Sequence, residues 1–182
     1  MGSGTDLRAG LRDLAMRIYV DASYTSRGHL EEAKRWMRWS RVLGLPLAAV
    51  SALAASGAAL SAIFGQVVWL TAGLALLSAV LTGVRGFVRP EELATAHAVK
   101  GNRYIGLRNE ALFFLKAELR SATPDSELLV RLRTLLKGYN DLTVVAPHVI
   151  EEKQYAAAKR GIEGGEASYR DDPLWRELEQ DA

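Results

Sequence analysis

The pattern of hydrophobic and polar positions separates an uncharged middle of the chain from two amphipathic flanks. Residues 42–84 contain no Asp, Glu, Lys, Arg or His. One helical crossing of a bilayer takes about 20 apolar residues, so this run is long enough for two crossings. Gly65-Gln66 places a helix breaker and a polar residue near its middle. We therefore predict a transmembrane helical hairpin with helices at 42–64 and 67–88. The alternative is the buried core hairpin of a soluble helical bundle.

The charges beside this run predict the orientation of the hairpin. Both outer ends are cationic, whereas the link between the two spans carries no charge. Cationic flanks are retained on the cytoplasmic side of a membrane, so both termini are expected in the cytoplasm. Indole rings favour the interface between lipid and water. The flanking cations are Lys34, Arg35, Arg38 and Arg41 before the run and Arg85 and Arg89 after it; the interfacial candidates are Trp36, Trp39 and Arg41 on the inner side and Trp69 on the outer side.

The flanks themselves show helical periodicity. Apolar residues recur every three or four positions in 5–41, with a second helix predicted to start near Ser26, and again in 90–162. Pro46 is expected to kink the first span. No segment alternates with period two, so the predicted fold class is all-α: a membrane hairpin with a cytoplasmic helical bundle. The bundle stripes are Leu7, Leu11, Leu14, Ile18 and Ala22; Leu93, His97, Tyr104, Leu107, Ala111, Phe114, Leu115 and Leu119; and Leu128, Leu129, Leu132, Leu135, Leu136, Tyr139 and Leu142.

The first span is rich in small residues. From position 54 to 62 it reads AASGAALSA. Small side chains let helix backbones approach closely, which is a main driver of helix association in lipid. We therefore expect this span to lie among other helices, with Ala54, Gly57, Ala58 and Ser61 in the packing face.

The second span carries a weakly polar stripe. Thr71, Ala75, Ser78 and Thr82 are spaced by three or four residues and share one face, which Arg85 continues beyond the uncharged run. One hypothesis is that this stripe lines a water-filled conduit. The other is that the hydroxyls bond back to their own helix while the small face packs on the first span.

Composition narrows the chemistry. The chain has no cysteine, which excludes disulfides and thiolate ligands. Its three histidines, His29, His97 and His148, have no helical metal-binding spacing, so hydrogen bonding within the bundle is predicted and no metal site is. No catalytic residue, cofactor motif or nucleic-acid signature is found. Residues 163–182 form an acidic tail with two basic and seven acidic side chains.

The order of these segments resembles the SLATT family, two-transmembrane effector domains associated with nucleotidyltransferases of the SMODS type and with SLOG domains. The resemblance covers most of residues 10–160 as one domain ending near 162. It rests on Tyr24-Thr25-Ser26-Arg27-Gly28-His29-Leu30 with Ala33, on Leu43-Gly44-Leu45-Pro46, on Pro90-Glu91-Glu92-Leu93-Ala94 with His97 and Tyr104, and on Ala146-Pro147.

The resemblance implies a function in bacterial antiphage defence. It implies a homo-oligomer in the bacterial inner membrane that forms a pore and permeabilises or depolarises the membrane when infection is sensed. The signal would come from a separate antiphage sensor, either a nucleotidyltransferase product or a reverse transcriptase module. The alternative is a non-conducting membrane scaffold that recruits a cytoplasmic enzyme through its helical bundle. An enzymatic activity of the chain itself is not expected.

Overall fold

The computed structural model describes residues 3–64, 68–144, 150 and 152–163, and these residues contain helices and no strand. The predicted all-α fold class is therefore confirmed for the described part of the chain. The helices are α1 (Ser3–Phe64), α2 (Val68–Val88), α3 (Pro90–Phe113), α4 (Asp125–Val144) and α5 (Glu152–Glu163), with a π-helical segment at Phe114–Glu118 directly after α3.

Helix α1 is longer than the sequence predicts. Instead of a second helix starting near Ser26, one uninterrupted helix of 62 residues runs from the N-terminal flank through the first apolar span. The Ser26 hydroxyl donates to the carbonyl of Ser23 at 2.9 Å, so it bonds back to its own helix and caps no new one. The helix also continues through Pro46, where the ring removes one backbone hydrogen bond.

The described residues fall into two compact units along the chain. The first, here called the bundle, comprises 3–32 and the described residues from His97 onward. Its core joins α1, α3, the π-helical segment and α4 and contains most of the predicted apolar stripes, whereas Leu7 is exposed and Leu93 lies outside this core. The fully buried members of this core include Ala15, Ile18, Tyr19, Ala22, Tyr104, Ala111, Phe114, Leu128, Leu132 and Leu135.

The π-helical segment adjusts the bundle at the end of α3. The backbone N–H of Leu119 donates to the carbonyl of Phe114 at 2.9 Å, which is the wider turn of a π-helix. Phe114 and Leu115, which are adjacent in sequence, are both buried. Arg8 then ties the following loop to α1, donating to Asp125 Oδ1 at 2.9 Å and to the Thr123 carbonyl at 2.8 Å.

The second unit, here called the hairpin unit, comprises residues 33–96. Helices α2 and α3 are separated by Arg89 alone, whose φ of 46° is in the left-handed region that few residues other than glycine adopt. Its N–H donates to the Arg85 carbonyl at 2.9 Å, and Pro90 then begins α3. The predicted link at Gly65-Gln66, the Ala146-Pro147 break, His148 and the acidic tail beyond Glu163 lie outside the described residues.

Candidate membrane hairpin and its interhelical contacts

The hairpin unit leaves its apolar side chains exposed. Among the described side chains of residues 41–58 and 68–88, none is buried. Several of them are large: the exposed fraction of the side chain is 73% for Leu45, 68% for Leu76 and 90% for Phe87. The bundle, in contrast, buries its leucines and aromatics around one core. An apolar surface of this extent marks contact with a membrane or with other proteins.

Length and composition allow two crossings of a membrane. The helical segments Leu7–Ala58 and Val68–Glu118 each contain a stretch that is long and apolar enough to span a bilayer, with mean hydropathy of 1.4 and 1.6. Neither stretch has a buried residue. This agrees with the two predicted spans in number.

Among the described residues, contacts between α1 and α2 recur at regular intervals along both helices. A Cβ built on Gly57 would lie 2.8 Å from Thr71 Oγ1, which shows that only a glycine fits there without a shift. The hydroxyls of Ser51 and Ser78 are 2.7 Å apart and share a hydrogen bond. These contacts are seven residues apart on α2 and six on α1. Seven residues are only about 0.2 residue short of two full turns of 3.6, so Thr71 and Ser78 lie on one face of α2 and form, with Gly57 and Ser51 of α1, a seam between the antiparallel helices.

The third contact lies at the charged end of the same seam. A Cβ on Gly44 would lie 3.2 Å from a terminal nitrogen of Arg85. Gly44 is seven residues before Ser51, and Arg85 is seven residues after Ser78, so the seam runs through a little less than four helical turns. Small residues on α1 thus face hydroxyl and guanidinium groups on α2.

The predicted polar stripe of α2 is therefore divided between the seam and the outside. Thr71, Ser78 and Arg85 contact α1, whereas Ala75 and Thr82 are exposed. The Thr82 hydroxyl donates to the Ser78 carbonyl at 2.8 Å, which satisfies it within its own helix. In the single chain this stripe is arranged for helix packing.

The predicted packing face of α1 is divided in the same way. Ala54 and Gly57 are half-buried in the hairpin unit, while Ala58 is exposed. The side chain of Ser61 lies outside the described residues. Sequence reasoning named Gly57 but missed Ser51, whose only signal was its spacing of seven from Gly44.

The residues predicted at the membrane interface differ in their exposure. Trp36 is half-buried, with the guanidinium carbon of Arg35 5.6 Å from its ring centroid, a cation–π geometry. Trp39 and Arg41 are exposed, and Trp69 keeps 87% of its surface at the first turn of α2. The exposed indoles thus lie at the two ends of the apolar surface, where an interfacial role requires them.

A polar cluster closes the cationic end of the hairpin unit. Glu91 Oε1 accepts a hydrogen bond from the Ser40 hydroxyl at 2.7 Å and also accepts from Arg85 in an ion pair. The Ser40 hydroxyl, and next the Arg85 guanidinium, lower the pKa of the Glu91 carboxyl below its ordinary value of 4.5. Glu91 was noted in the sequence only as a residue in the first turn of α3. Its partner Ser40 is 51 residues away, so no local pattern reveals the cluster.

The lowered pKa predicts a pH dependence of hairpin stability. Since the folded pKa lies below the unfolded one, the contribution of Glu91 is complete above about pH 4.5 and is lost as pH falls through the folded pKa. We expect Glu91→Gln to lower the thermal stability in detergent at about pH 7 and to make less difference at an acidic pH below the folded pKa. Glu92→Gln, at a carboxylate 69% exposed, is the matched control. An equal effect of Glu91→Gln at both pH values would contradict the ion pair.

Two histidines that the sequence places 68 residues apart form a buried pair in the bundle. The Nδ1 atoms of His29 and His97 are 2.9 Å apart, and the rings are only 2% and 3% exposed. One ring donates and the other accepts, so a single proton lies between them. His29 also stacks on Tyr104 with ring centroids 5.9 Å apart. The described residues hold no group of three or more potential metal ligands.

Removing one member of this pair is expected to destabilise the bundle. His97→Ala leaves a buried imidazole nitrogen of His29 without its partner, which costs about 1–3 kcal/mol. Thermal unfolding of the purified chain measures the loss, and Val99→Ala at a position 47% exposed should change stability by less than about 0.5 kcal/mol. The double variant His29→Ala/His97→Ala should lose less than the sum of the single variants. Strict additivity would argue against the pair.

The described part of the chain thus presents an exposed apolar hairpin with a hydroxyl-lined seam, joined in sequence to a helical bundle with its own core. Comparison with known proteins adds no relative: no protein-family model, curated protein or solved structure matches the chain. The function must therefore be inferred from the residues themselves.

Proposed function

We propose that this chain is a pore-forming membrane effector of a bacterial antiphage system, with the hairpin in the inner membrane and both termini in the cytoplasm. The observation that carries the proposal is the exposed surface of the described residues within the uncharged run at 42–84. Burying that surface in lipid removes the cost of hydrating it. The SLATT-like order of segments supports the antiphage role, and the cationic flanks at Arg41 and Arg85 support the orientation.

Conduction requires several copies. One hairpin has two helices and encloses no channel, so the conduit is built by a homo-oligomer. Ala58, small and exposed, offers a place for the next hairpin to approach closely. The hydroxyls of Thr71 and Ser78, which contact α1 in the single chain, would turn towards water when the oligomer opens. A separate sensor, such as a nucleotidyltransferase product or a reverse transcriptase module, would favour that open arrangement.

A non-conducting scaffold is the second candidate, and the seam favours it. The Ser51–Ser78 hydrogen bond and the glycine contact at Thr71 hold the stripe against α1. If that arrangement were permanent, the hairpin would only anchor the bundle, which would then recruit an enzyme.

An engineered disulfide across the seam distinguishes the two functions. The chain has no native cysteine, and the two hydroxyls are 2.7 Å apart, so Ser51→Cys and Ser78→Cys together place their thiols in reach of each other. Membrane potential and uptake of an impermeant dye are followed after induced expression. We expect the parent chain and each single cysteine variant to depolarise the membrane, the oxidised double variant to do so far less, and reductant to restore the effect.

The scaffold predicts a different result. A parent chain that integrates in the membrane but leaves the potential unchanged under every inducing condition, including co-expression with its genetic neighbours, would support the scaffold. Depolarisation that is unaffected by the disulfide would place the conduit away from the seam.

A further inference from the structure

An open apolar groove lies on the bundle between the N-terminal part of α1 and α4. It has a volume of about 560 Å³, and most of its lining is leucine, including Leu11 and Leu14 of α1 and Leu129 and Leu136 of α4. Gly10 forms part of its wall, and a Cβ built there would meet nothing within 4 Å. The groove therefore has room for a large side chain, and its leucines gain free energy when an apolar group covers them.

The direction of α5 leads the chain towards this groove. A Cβ on Gly28 would lie 2.8 Å from Ile150, and the rings of Tyr24 and Tyr155 are 6.4 Å apart. Residue numbers rise from Ile150 to Tyr155 as they fall from Gly28 to Tyr24, so the chain enters α5 antiparallel to α1. Eight further residues, at about 1.5 Å each, bring the end of α5 to about the level of Met16. The groove starts two residues beyond, at Leu14.

The sequence after α5 contains a segment that suits the groove. Leu174, Trp175 and Leu178 are spaced i, i+1 and i+4, which is one face of a helix, and they follow Asp172-Pro173, a helix-start signal. The nine residues 164–172 begin with two glycines and can extend over about 30 Å. The segment is therefore within reach of the groove.

The charges of segment and groove are complementary. Residues 163–182 carry seven acidic and two basic side chains. Arg133 lines the groove, and Lys137 is exposed one turn further along α4. The apolar face of the segment therefore matches the leucines of the groove, and its acidic residues match the cations beside them.

We propose that residues 173–178 occupy this groove in the same chain, with Trp175 over Gly10. The inference does not rest on the proposed membrane function. The acidic tail thereby has a binding site on the bundle. Any partner that binds in the groove must first displace residues 173–178.

Cysteine cross-linking in the full-length chain tests this docking. Gly10→Cys is placed in the groove and Glu179→Cys beside the docked face; the control pair replaces Gly10→Cys with Val130→Cys, on α4 outside the groove and 63% exposed. We expect the groove pair to form an intrachain disulfide about tenfold faster or more than the control pair, because docking raises the effective concentration of the thiols. Adding Trp175→Glu, which changes only the tail, should reduce that rate to the control value.

Three results would overturn the proposal: equal rates for both pairs, a groove-pair rate that Trp175→Glu leaves unchanged, or a disulfide that forms only between chains. The last result would assign the groove to the tail of a second copy. The measurement uses purified protein and no conduction readout, so its failure is distinguishable from failure of the pore.

Discussion

Leu76→Arg is expected to prevent stable membrane integration of the hairpin. Leu76 lies near the middle of α2, is 68% exposed, and is not one of the residues that form the seam with α1. An arginine at the centre of a membrane helix costs about 2.5–3.5 kcal/mol, and the favourable leucine is lost as well. That change lowers the insertion equilibrium by about two orders of magnitude. Alkaline extraction of membranes, followed by immunoblotting, measures the integrated fraction.

Two control variants isolate the effect of a charge placed in the middle of the apolar helix. Leu76→Ala removes the same apolar side chain without adding charge and should stay largely integrated. Val99→Arg adds the same charge on α3, beyond the uncharged run, and should integrate like the parent. If Leu76→Arg instead remained in the membrane fraction, or made the chain more soluble without loss of fold, the hairpin would be the apolar face of a soluble assembly.

Gly57→Ala is expected to weaken the hairpin seam. The added methyl group would lie 2.8 Å from Thr71 Oγ1, nearer than real Cβ contacts allow, so α1 and α2 must separate or shift. Overpacking of this kind costs about 1–3 kcal/mol. Unfolding of the purified chain by heat or by increasing SDS in mild detergent measures the loss. Gly73→Ala, where nothing lies within 4 Å, is the matched control and should be nearly neutral.

A second substitution should rescue the first. Thr71→Ala removes the hydroxyl and leaves the Thr71 Cβ position 3.6 Å from the new methyl group, an ordinary van der Waals contact. Gly57→Ala/Thr71→Ala should therefore recover most of the stability that Gly57→Ala loses. Equal losses with and without Thr71→Ala would show that the clash lies elsewhere.

The seam also bears on the proposed mechanism. Thr71 and Ser78 are the hydroxyls that a water-filled conduit would use, and the single chain commits them to contacts with α1. Opening must then break the Ser51–Ser78 hydrogen bond, whose net worth is of order 1 kcal/mol. A barrier of that size is small enough for a partner or a neighbouring hairpin to overcome, since coupling between sites is typically about 1–3 kcal/mol.

Local patterns in the sequence were sufficient to predict the helical class and the apolar surfaces. The uncharged run at 42–84 determines where the two apolar helices lie, because a helix built from uncharged, mostly apolar residues is apolar on every side. Leucines at spacings of three and four determined which face of α4 is buried, since that periodicity follows from the helix itself. Helix boundaries were less predictable: a second helix was expected to start near Ser26, yet the Ser26 hydroxyl bonds to its own helix and α1 continues through this position.

The pairing of distant residues was decided by tertiary structure alone. The histidine pair joins positions 68 residues apart, the Ser51–Ser78 bond joins positions 27 apart, and the Ser40–Glu91 bond joins positions 51 apart. Each depends on the register in which two helices pack, and a helical repeat is compatible with several registers. The sequence by itself determined which faces are apolar or polar. Only the packed helices decided that Thr71 and Ser78 contact α1 while Ala75 and Thr82 are exposed. The partner of a side chain depends on the opposing helix, whereas the periodicity of a helix determines only which of its own residues share a face.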